Sequence, residues 1–332
     1  MHHLDRKQQL QHWIEDRLNL PALNLEPASA DASFRRYFRV QANGRSLIAM
    51  DAPPDHEDCR PFVHVANLMA QAGVHVPEVI EQDIERGFLL LTDLGNVSFL
   101  QALDEQSAGR LFGDALDALL RWQLASRPDV LPVYDAALLR RELLLFPEWY
   151  VQRHRGVTLT DVQRQELLTL FDLIIRNNLS QPSVYVHRDY MPRNLMVCDP
   201  NPGVLDFQDA VYGPITYDVA SLFKDAFVSW EEERILDWTA RYWEKAKRAN
   251  LPVNADFGTF YRDFEWMGLQ RHLKVLGIFA RLNYRDGKSG YLKDTPRFVG
   301  YVRAVAGRYA GLKPLRTLLD QIEGLSSAAS TQ

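Results

Sequence analysis

Cysteine is scarce in this chain: Cys59 and Cys198 are the only two among 332 residues, far apart and without metal-ligand spacing. A thiolate metal site is therefore not supported, and two free thiols in a reducing cytoplasm are the expectation. No charge sign dominates either. Lys and Arg total 38 against 43 Asp and Glu, a formal net charge of −5. That argues against a broad grip on nucleic acid or an anionic membrane, and leaves room only for a local basic patch that meets one phosphate group. Uninterrupted apolar runs of membrane-spanning length are missing, and Met1, His2, His3, Leu4 and Asp5 lack the basic-then-apolar pattern of a signal peptide. Internal repeats are absent, and low complexity is confined to a Ser/Ala-rich tail after Gly324 that is expected to fray. A cytoplasmic monomer that binds neither nucleic acid nor membrane is the expectation.

What is present is the composition of an ordinary globular protein, 46% hydrophobic and 24% charged, and long enough for two lobes. Leu4 to Leu18 reads as an amphipathic helix around Leu10, Trp13, Ile14 and Leu18. Phe34 to Val40 and Leu47 to Met50 flank Asn43-Gly44, a strong hairpin signal. Cys59 to Ala72 is helical, with Phe62, Val65, Ala66 and Met69 on one face, and Val79 to Asp83 and Phe88 to Leu91 read as strands. After Leu91 the pattern changes. Helices are predicted over Ala108 to Leu124, Ala136 to Tyr150, Asp161 to Asn177, Glu231 to Ala249 and Phe257 to Leu282. One strand-rich island interrupts them: Val184-Tyr185-Val186, Leu195-Met196-Val197 and Val204-Leu205.

The island carries the chemistry. It reads His187-Arg188-Asp189-Tyr190-Met191-Pro192-Arg193-Asn194, then Leu205-Asp206-Phe207-Gln208-Asp209. Phosphoryl transfer needs little covalent work from a protein, only alignment of the attacking hydroxyl and oxygen ligands for magnesium on the phosphates. A carboxylate at a strand end, Asp189, can accept the hydroxyl proton. The amide oxygen of Asn194 and the carboxylate of Asp206 are hard ligands of the kind Mg²⁺ prefers.

These residues resemble the aminoglycoside phosphotransferase and choline kinase superfamily, relatives of the protein kinases, whose catalytic loop runs H-x-D-x-x-x-x-N and is followed by D-[FW]-x-D. The resemblance covers nearly the whole chain. It implies an α+β, bilobal, protein-kinase-like fold: a small N-terminal antiparallel-sheet lobe with one main helix over 1–94, a hinge at about 92–96, and a larger, mainly helical C-terminal lobe over 95–332. It implies ATP and Mg²⁺ as cofactors, with Asp189 as the aligning base, His187 orienting the loop, and Asn194 and Asp206 on the metal. Asp209 closes the D-[FW]-x-D segment behind these ligands. Gly213-Pro214-Ile215-Thr216-Tyr217-Asp218-Val219-Ala220 is similar to the segment in which an aspartate, here Asp218, braces the catalytic loop; a plain helix-terminal role for Asp218 is the alternative.

On the nucleotide side, Phe88 to Gly95 resembles the passage that holds adenine, which implies main-chain contacts from Thr92 and Leu94. Ala32-Ser33-Phe34-Arg35-Arg36-Tyr37-Phe38 stands in the place of the phosphate loop, with Ser33, Arg35 and Arg36 as candidate contacts and the usual glycines missing. One departure is serious. Met50 occupies the strand position where such kinases carry a lysine, and the following helix offers His64 or its neighbours in place of the lysine's glutamate partner. Losing both partners is coherent, because losing one would strand a buried charge. Either an arginine of the Ser33 loop replaces the lysine, or the protein binds nucleotide poorly.

The acceptor is a small molecule. Trp266 to Lys274 is basic and aromatic, which suits a neutral or anionic acceptor held by Arg271 and His272, whereas a polycationic antibiotic would want carboxylates. Glu148 and Trp149 supply a carboxylate and an aromatic plate suited to a sugar. Asp31 to Val40, Ala49 to Pro54 and His187 to Met196 further resemble a bacterial branch of anomeric sugar kinases in cell-wall recycling. That likeness implies ATP-dependent phosphorylation of N-acetylmuramate and N-acetylglucosamine to the α-1-phosphate, with Arg271 opposite the lactyl carboxylate. Two alternatives stay open: a kinase of another small hydroxyl compound (an amino alcohol, a homoserine-like compound or an aminoglycoside), and an inactive nucleotide-binding relative, the latter motivated by Met50.

Overall fold

The computed structural model describes residues 5–20, 23–29 and 34–325. Ser33 and the tail over 326–332 lie outside the described residues. The chain divides into two compact units, Met1–Ala125 with Pro192–Ala210, and Ser126–Met191 with Val211–Gln332. No helix among the described residues is long and apolar enough to cross a membrane.

In the first unit, helix α1 (Arg6–Leu18) starts at a capping box. The Asp5 carboxylate accepts the Gln8 amide at 2.8 Å, and the Gln8 side chain accepts the Asp5 amide at 3.1 Å. Five strands follow: β1 (Glu26–Ser29), β2 (Arg36–Ala42), β3 (Arg45–Asp51), β4 (Val79–Asp83) and β5 (Phe88–Thr92). They form an antiparallel sheet in the order β1-β2-β3-β5-β4. Asn43 and Gly44 both have positive φ, 52° and 73°, which is the two-residue hairpin turn that matches strand twist. The pleat sorts the side chains. Phe38, Val40, Leu47, Ala49, Phe88 and Leu90 pack with Leu10, Trp13 and Ile14 of α1, each fully buried aliphatic side chain contributing about 1.5–3 kcal/mol. Tyr37, Arg39, Ile48 and Leu91 alternate with them and line a cavity.

Helix α2 (Arg60–Gln71) buries Phe62, Val65, Ala66 and Met69, and helices α3 (Phe99–Ala102) and α4 (Ala108–Leu124) complete the helical part of this unit. The hairpin of β7 (Leu195–Met196) and β8 (Gly203–Val204) is tied in by the Val204 amide on the His75 carbonyl and the Val197 amide on the Val97 carbonyl, both 2.8 Å. Phe207 anchors the chain after β8, its ring 4.7 Å from that of Phe62.

The second unit is mainly helical: α5 (Ala136–Leu143), a π-helix over Phe146–His154, α6 (Asp161–Leu179), α7 (Tyr217–Phe223), α8 (Glu232–Arg248), α9 (Phe257–Tyr284), α10 (Thr295–Arg308) and α11 (Lys313–Ile322). Strands β6 (Ser183–Val186) and β9 (Val211–Pro214) pair antiparallel, with Val184 opposite Gly213. A Cβ at Gly213 would lie 2.7 Å from the Cβ of Tyr134, so glycine is required there by close approach. Helix α9 is the hub, packed against the π-helix, α6, α7, α8 and α10, and its middle is buried on every side.

The α+β reading holds, and most predicted helices are found within a few residues. One differs: the single helix predicted over Ala136 to Tyr150 is α5 followed by a π-helix. Pro147 has no amide to donate, and the chain accommodates it in a wider turn. Strands β1 and β9 and helices α3, α7, α10 and α11 were not predicted. The segment Glu26-Pro27-Ala28-Ser29 shows why, since nothing in its residue types favours a strand.

Candidate active site

In the second unit the chain leaves β6 into His187-Arg188-Asp189. Arg188 has φ of 76°, a left-handed backbone that a non-glycine residue adopts only when its surroundings hold it. Asp218, in the first turn of α7 and wholly buried, does so. It accepts the His187 amide at 2.7 Å on one oxygen and the Arg188 amide at 3.0 Å on the other. Burial pushes the Asp218 carboxyl up to about 7 against the pull of these two amides and the Arg271 guanidinium. His187 is buried, with Nδ1 accepting the Asp189 amide at 3.2 Å, so the ring's proton resides on Nε2 in the neutral form. The ring meets Tyr190 edge-on at 5.5 Å. Asp189 itself is half-buried at the loop's tip, and its carbonyl accepts the Met191 amide at 2.9 Å.

The first unit holds the candidate metal pair. Asn194 ends a short 3-10 turn before β7, and Asp206 follows β8 with φ of 64°. The Leu205 amide donates to the Asn194 carbonyl at 2.9 Å, which brings the two side chains together: Asn194 Nδ2 lies 3.3 Å from Asp206 Oδ2. Gln208 Nε2 donates to the other carboxylate oxygen at 2.8 Å. An amide oxygen and a carboxylate on neighbouring strands fit a hard dication that takes its remaining ligands from phosphate and water. Among the described residues no cluster of three His, Cys, Asp or Glu could hold a metal alone. Asp209 is exposed, two residues beyond buried Phe207.

Asn194 and Asp206 line a cavity of about 290 Å³ together with Thr92 and Leu94, walled by Ile48, Leu91, Met196 and Leu205. The Thr92 amide donates to the Glu78 carbonyl at 3.0 Å, and its hydroxyl accepts the Glu78 amide at 2.9 Å. Asp93 clamps the passage. It accepts Arg39 Nε at 2.7 Å, the Ser46 hydroxyl at 2.5 Å and the Gly95 amide at 3.0 Å, while Arg39 Nη2 also reaches the Gly95 carbonyl at 3.2 Å. Burial raises the Asp93 carboxyl, but these donors outweigh it and hold it below its usual value.

The described cations of that cavity are Arg39 and Arg193. Arg35 and Arg36 are engaged elsewhere. Arg35 Nη2 meets Glu57 at 2.8 Å, and Arg36 joins Arg6 on fully buried Asp51. Met50 is fully buried, and His64 is exposed on α2. Glu148 is exposed and Trp149 half-buried on the π-helix. Arg271 is buried on α9 with Nη1 lacking a hydrogen-bond partner among the described residues. His272 is fully buried, stacked on Tyr301 at 4.8 Å, with Nε2 3.3 Å from the Lys224 carbonyl oxygen. Burial holds this ring neutral, well below its ordinary pKa, so it reaches a ligand only through its neighbours.

Reading the sequence missed Tyr37, Arg39 and Arg193 on the cavity. The signal for the first two was the strand alternation Tyr37-Phe38-Arg39-Val40; the signal for Arg193 was its place beside Asn194. It also missed Glu142, whose carboxylate accepts Arg188 Nη2 at 2.7 Å from 46 positions away.

The sequence profile of the phosphotransferase enzyme family matches residues 24–253. The chain is 53% identical to an N-acetylmuramate/N-acetylglucosamine kinase of Pseudomonas putida over 96% of this chain and 97% of that protein. It is 49% identical to the protein of that name from Neisseria meningitidis, covering 97% of each. In fold it is similar to the choline kinase LicA of Streptococcus pneumoniae, with a TM-score of 0.64 at 11% identity, covering 89% of this chain and 99% of that one.

Proposed function

The chain belongs to the phosphotransferase enzyme family, and on that premise we propose that it transfers the terminal phosphoryl group of ATP to the anomeric hydroxyl of N-acetylmuramate and N-acetylglucosamine. The sugar's O–H proton passes to Asp189, the new O–P bond forms, and the bond from the terminal phosphorus to the β-phosphate oxygen breaks, leaving ADP and the sugar α-1-phosphate. An anomeric hydroxyl is more acidic than an ordinary alcohol, so alignment matters more than base strength. The observation that carries the chemistry is the buried Asp218 carboxylate gripping two successive amides beside Asp189. The choice of sugar rests on the near-full-length identity to the two named kinases.

In this reading Asn194 and Asp206 hold Mg²⁺, which when bound neutralises the phosphate oxygens. Thr92 and Leu94 edge the adenine through their main chains, and residues 1–94 and 95–332 act as the two lobes about a hinge at 92–96. His187 and Asp218 keep the loop in shape, and Asp209 supports the metal ligands. Ser33, Arg35 and Arg36 approach the phosphates, the two arginines by exchanging carboxylate for phosphate. Arg271, buried with an unspent donor, faces the lactyl carboxylate; Glu148 and Trp149 meet the sugar, and His272 supports Arg271 from within the core. The protein works as a cytoplasmic monomer in peptidoglycan recycling.

An ADP-release assay across N-acetylmuramate, N-acetylglucosamine, choline, homoserine and kanamycin tests the reading. Turnover should be confined to the two amino sugars and should require Mg²⁺. Turnover only with another acceptor overturns the sugar assignment. Buried Met50 favours one further reading, a nucleotide-binding protein without transfer activity. ATP binding with no turnover on any acceptor would establish it.

A further inference from the structure

Behind the catalytic loop the second unit buries charge that the proposed chemistry leaves unexplained. Glu142 on α5, 5% exposed, takes three donors: Arg188 Nη2 at 2.7 Å and Lys274 Nζ at 2.9 Å on one oxygen, and the Tyr134 hydroxyl on the other. Lys274, on α9, also donates to the Tyr217 hydroxyl at 3.2 Å, and Tyr217 immediately precedes Asp218 on α7. Arg188 lies over the Tyr134 ring at 5.8 Å. Glu142 of α5 thus meets the side chain of Arg188 directly, and Lys274 of α9 and Tyr217 of α7 are joined to it through that carboxylate.

Stability does not account for this arrangement. Buried ion pairs are commonly replaced by packed apolar side chains without loss. The placement of the network points elsewhere. Two cations, Arg188 and Lys274, meet on one buried carboxylate, and Asp189 directly follows Arg188 in the loop. Burial pushes the Lys274 ammonium down, but Tyr217, Glu142 and Asp189 outweigh this against Arg188, and its net displacement is upward. For Glu142, burial raises the carboxyl and Lys274, Arg188 and Tyr134 together hold it below its usual value, so it stays ionised.

Resting on the kinase reading above, we propose that Lys274 and Glu142 are positioning residues for phosphoryl transfer: acting through Arg188, they hold the left-handed peptide that aims Asp189 at the acceptor hydroxyl. Asp218 fixes the loop by its backbone, and Glu142 fixes it by its side chain. Lys274, with Arg188 and Tyr134, keeps Glu142 ionised and so able to hold the Arg188 side chain.

The test compares Lys274→Met, Lys274→Arg and Tyr134→Phe with the parent protein by steady-state kinetics, thermal unfolding and amide hydrogen exchange. Lys274→Met should lower kcat about 30-fold while the KM for ATP changes less than about twofold, since misaimed groups cost rate rather than binding. The His187 and Arg188 amides should exchange about tenfold faster, with α6 unchanged, because the loop alone loosens. Lys274→Arg should restore most of kcat, which a bystander lysine would not require. A Lys274→Met protein with parental kcat overturns the proposal, and so does a fall in kcat with parental loop exchange. Should Lys274→Met not fold, Tyr134→Phe, which removes only a hydroxyl from the same carboxylate, decides by the same two readouts. Should the parent protein show no turnover, the kinase reading falls, and loop exchange in Lys274→Met still decides whether the network holds the loop.

Discussion

Where β3 of the first unit buries Met50 without a charge, the loop after β6 in the second is wrapped in buried charge, with Asp218 on its amides and Glu142 on its arginine. Both units are rich in arginine, yet they use it differently. In the first, Arg39 is matched to Asp93 and Arg35 to Glu57, while Arg36 and Arg6 share the Asp51 carboxylate at the end of β3. In the second, the shared carboxylate is Glu142, and one of the two cations on it, Arg188, belongs to the loop after β6 itself. A strand lysine and its glutamate can be lost together because an apolar side chain closes the gap without stranding a charge. No such substitution is open to Asp218, whose two oxygens each take a backbone donor.

The two regions should fail in different ways. The largest effect is expected from Asp189→Asn, which should cut kcat on the order of 10³-fold and largely spare ATP binding, measured by single-turnover assay and calorimetry. Asp206→Ala should cost on the order of 10²-fold and raise the Mg²⁺ concentration needed for half-maximal rate. A Mg²⁺ titration unchanged from the parent would remove Asp206 from the metal. Met50→Lys sharpens the comparison from the other side. Restoring the family's lysine without its glutamate buries an unpaired cation, so the protein should lose about 3 kcal/mol in urea unfolding and gain no activity. Enhanced turnover in that variant would mean the first unit still has a vacancy for the charge.

The smallest effect is a pH slope. The folded carboxyl of Asp218 sits at about 7, above its usual value near 4, so between those limits the folded state binds more protons than the unfolded state. This group's contribution to stability therefore falls as pH rises through that window, by at most about 1.4 kcal/mol per pH unit. Asp218→Asn should remove that slope. Parallel urea melts of both proteins from pH 5 to 7 would reveal a constant gap if the carboxyl is already ionised.

What the sequence disclosed, and what it hid, follows the same split between local and distant interactions. The Asn43-Gly44 turn and the stripe Leu10, Trp13, Ile14 are legible because their causes lie within a few residues. The loop His187 to Asn194 is legible because one short segment carries most of its chemistry. The bond between Asp218 and the loop amides spans about thirty positions, and residue likeness alone pointed to that aspartate. Glu142 and Lys274 were not singled out. They lie 46 positions before and 86 after Arg188, and each reads as ordinary helix charge until the helices meet. Arg35 and Arg36 illustrate the reverse: their sequence position suggested phosphate, and only the fold discloses Glu57 and Asp51 as their partners.

The account turns on transfer to an anomeric oxygen, and phosphorus NMR tests that most directly. Free N-acetylmuramate and its methyl glycoside, in which the anomeric oxygen is blocked, are each incubated with ATP, Mg²⁺ and the protein. The free sugar should yield a new phosphate resonance coupled to the anomeric proton, and the glycoside should yield none. A phosphate ester on the glycoside, or on a ring hydroxyl of the free sugar, would contradict the account.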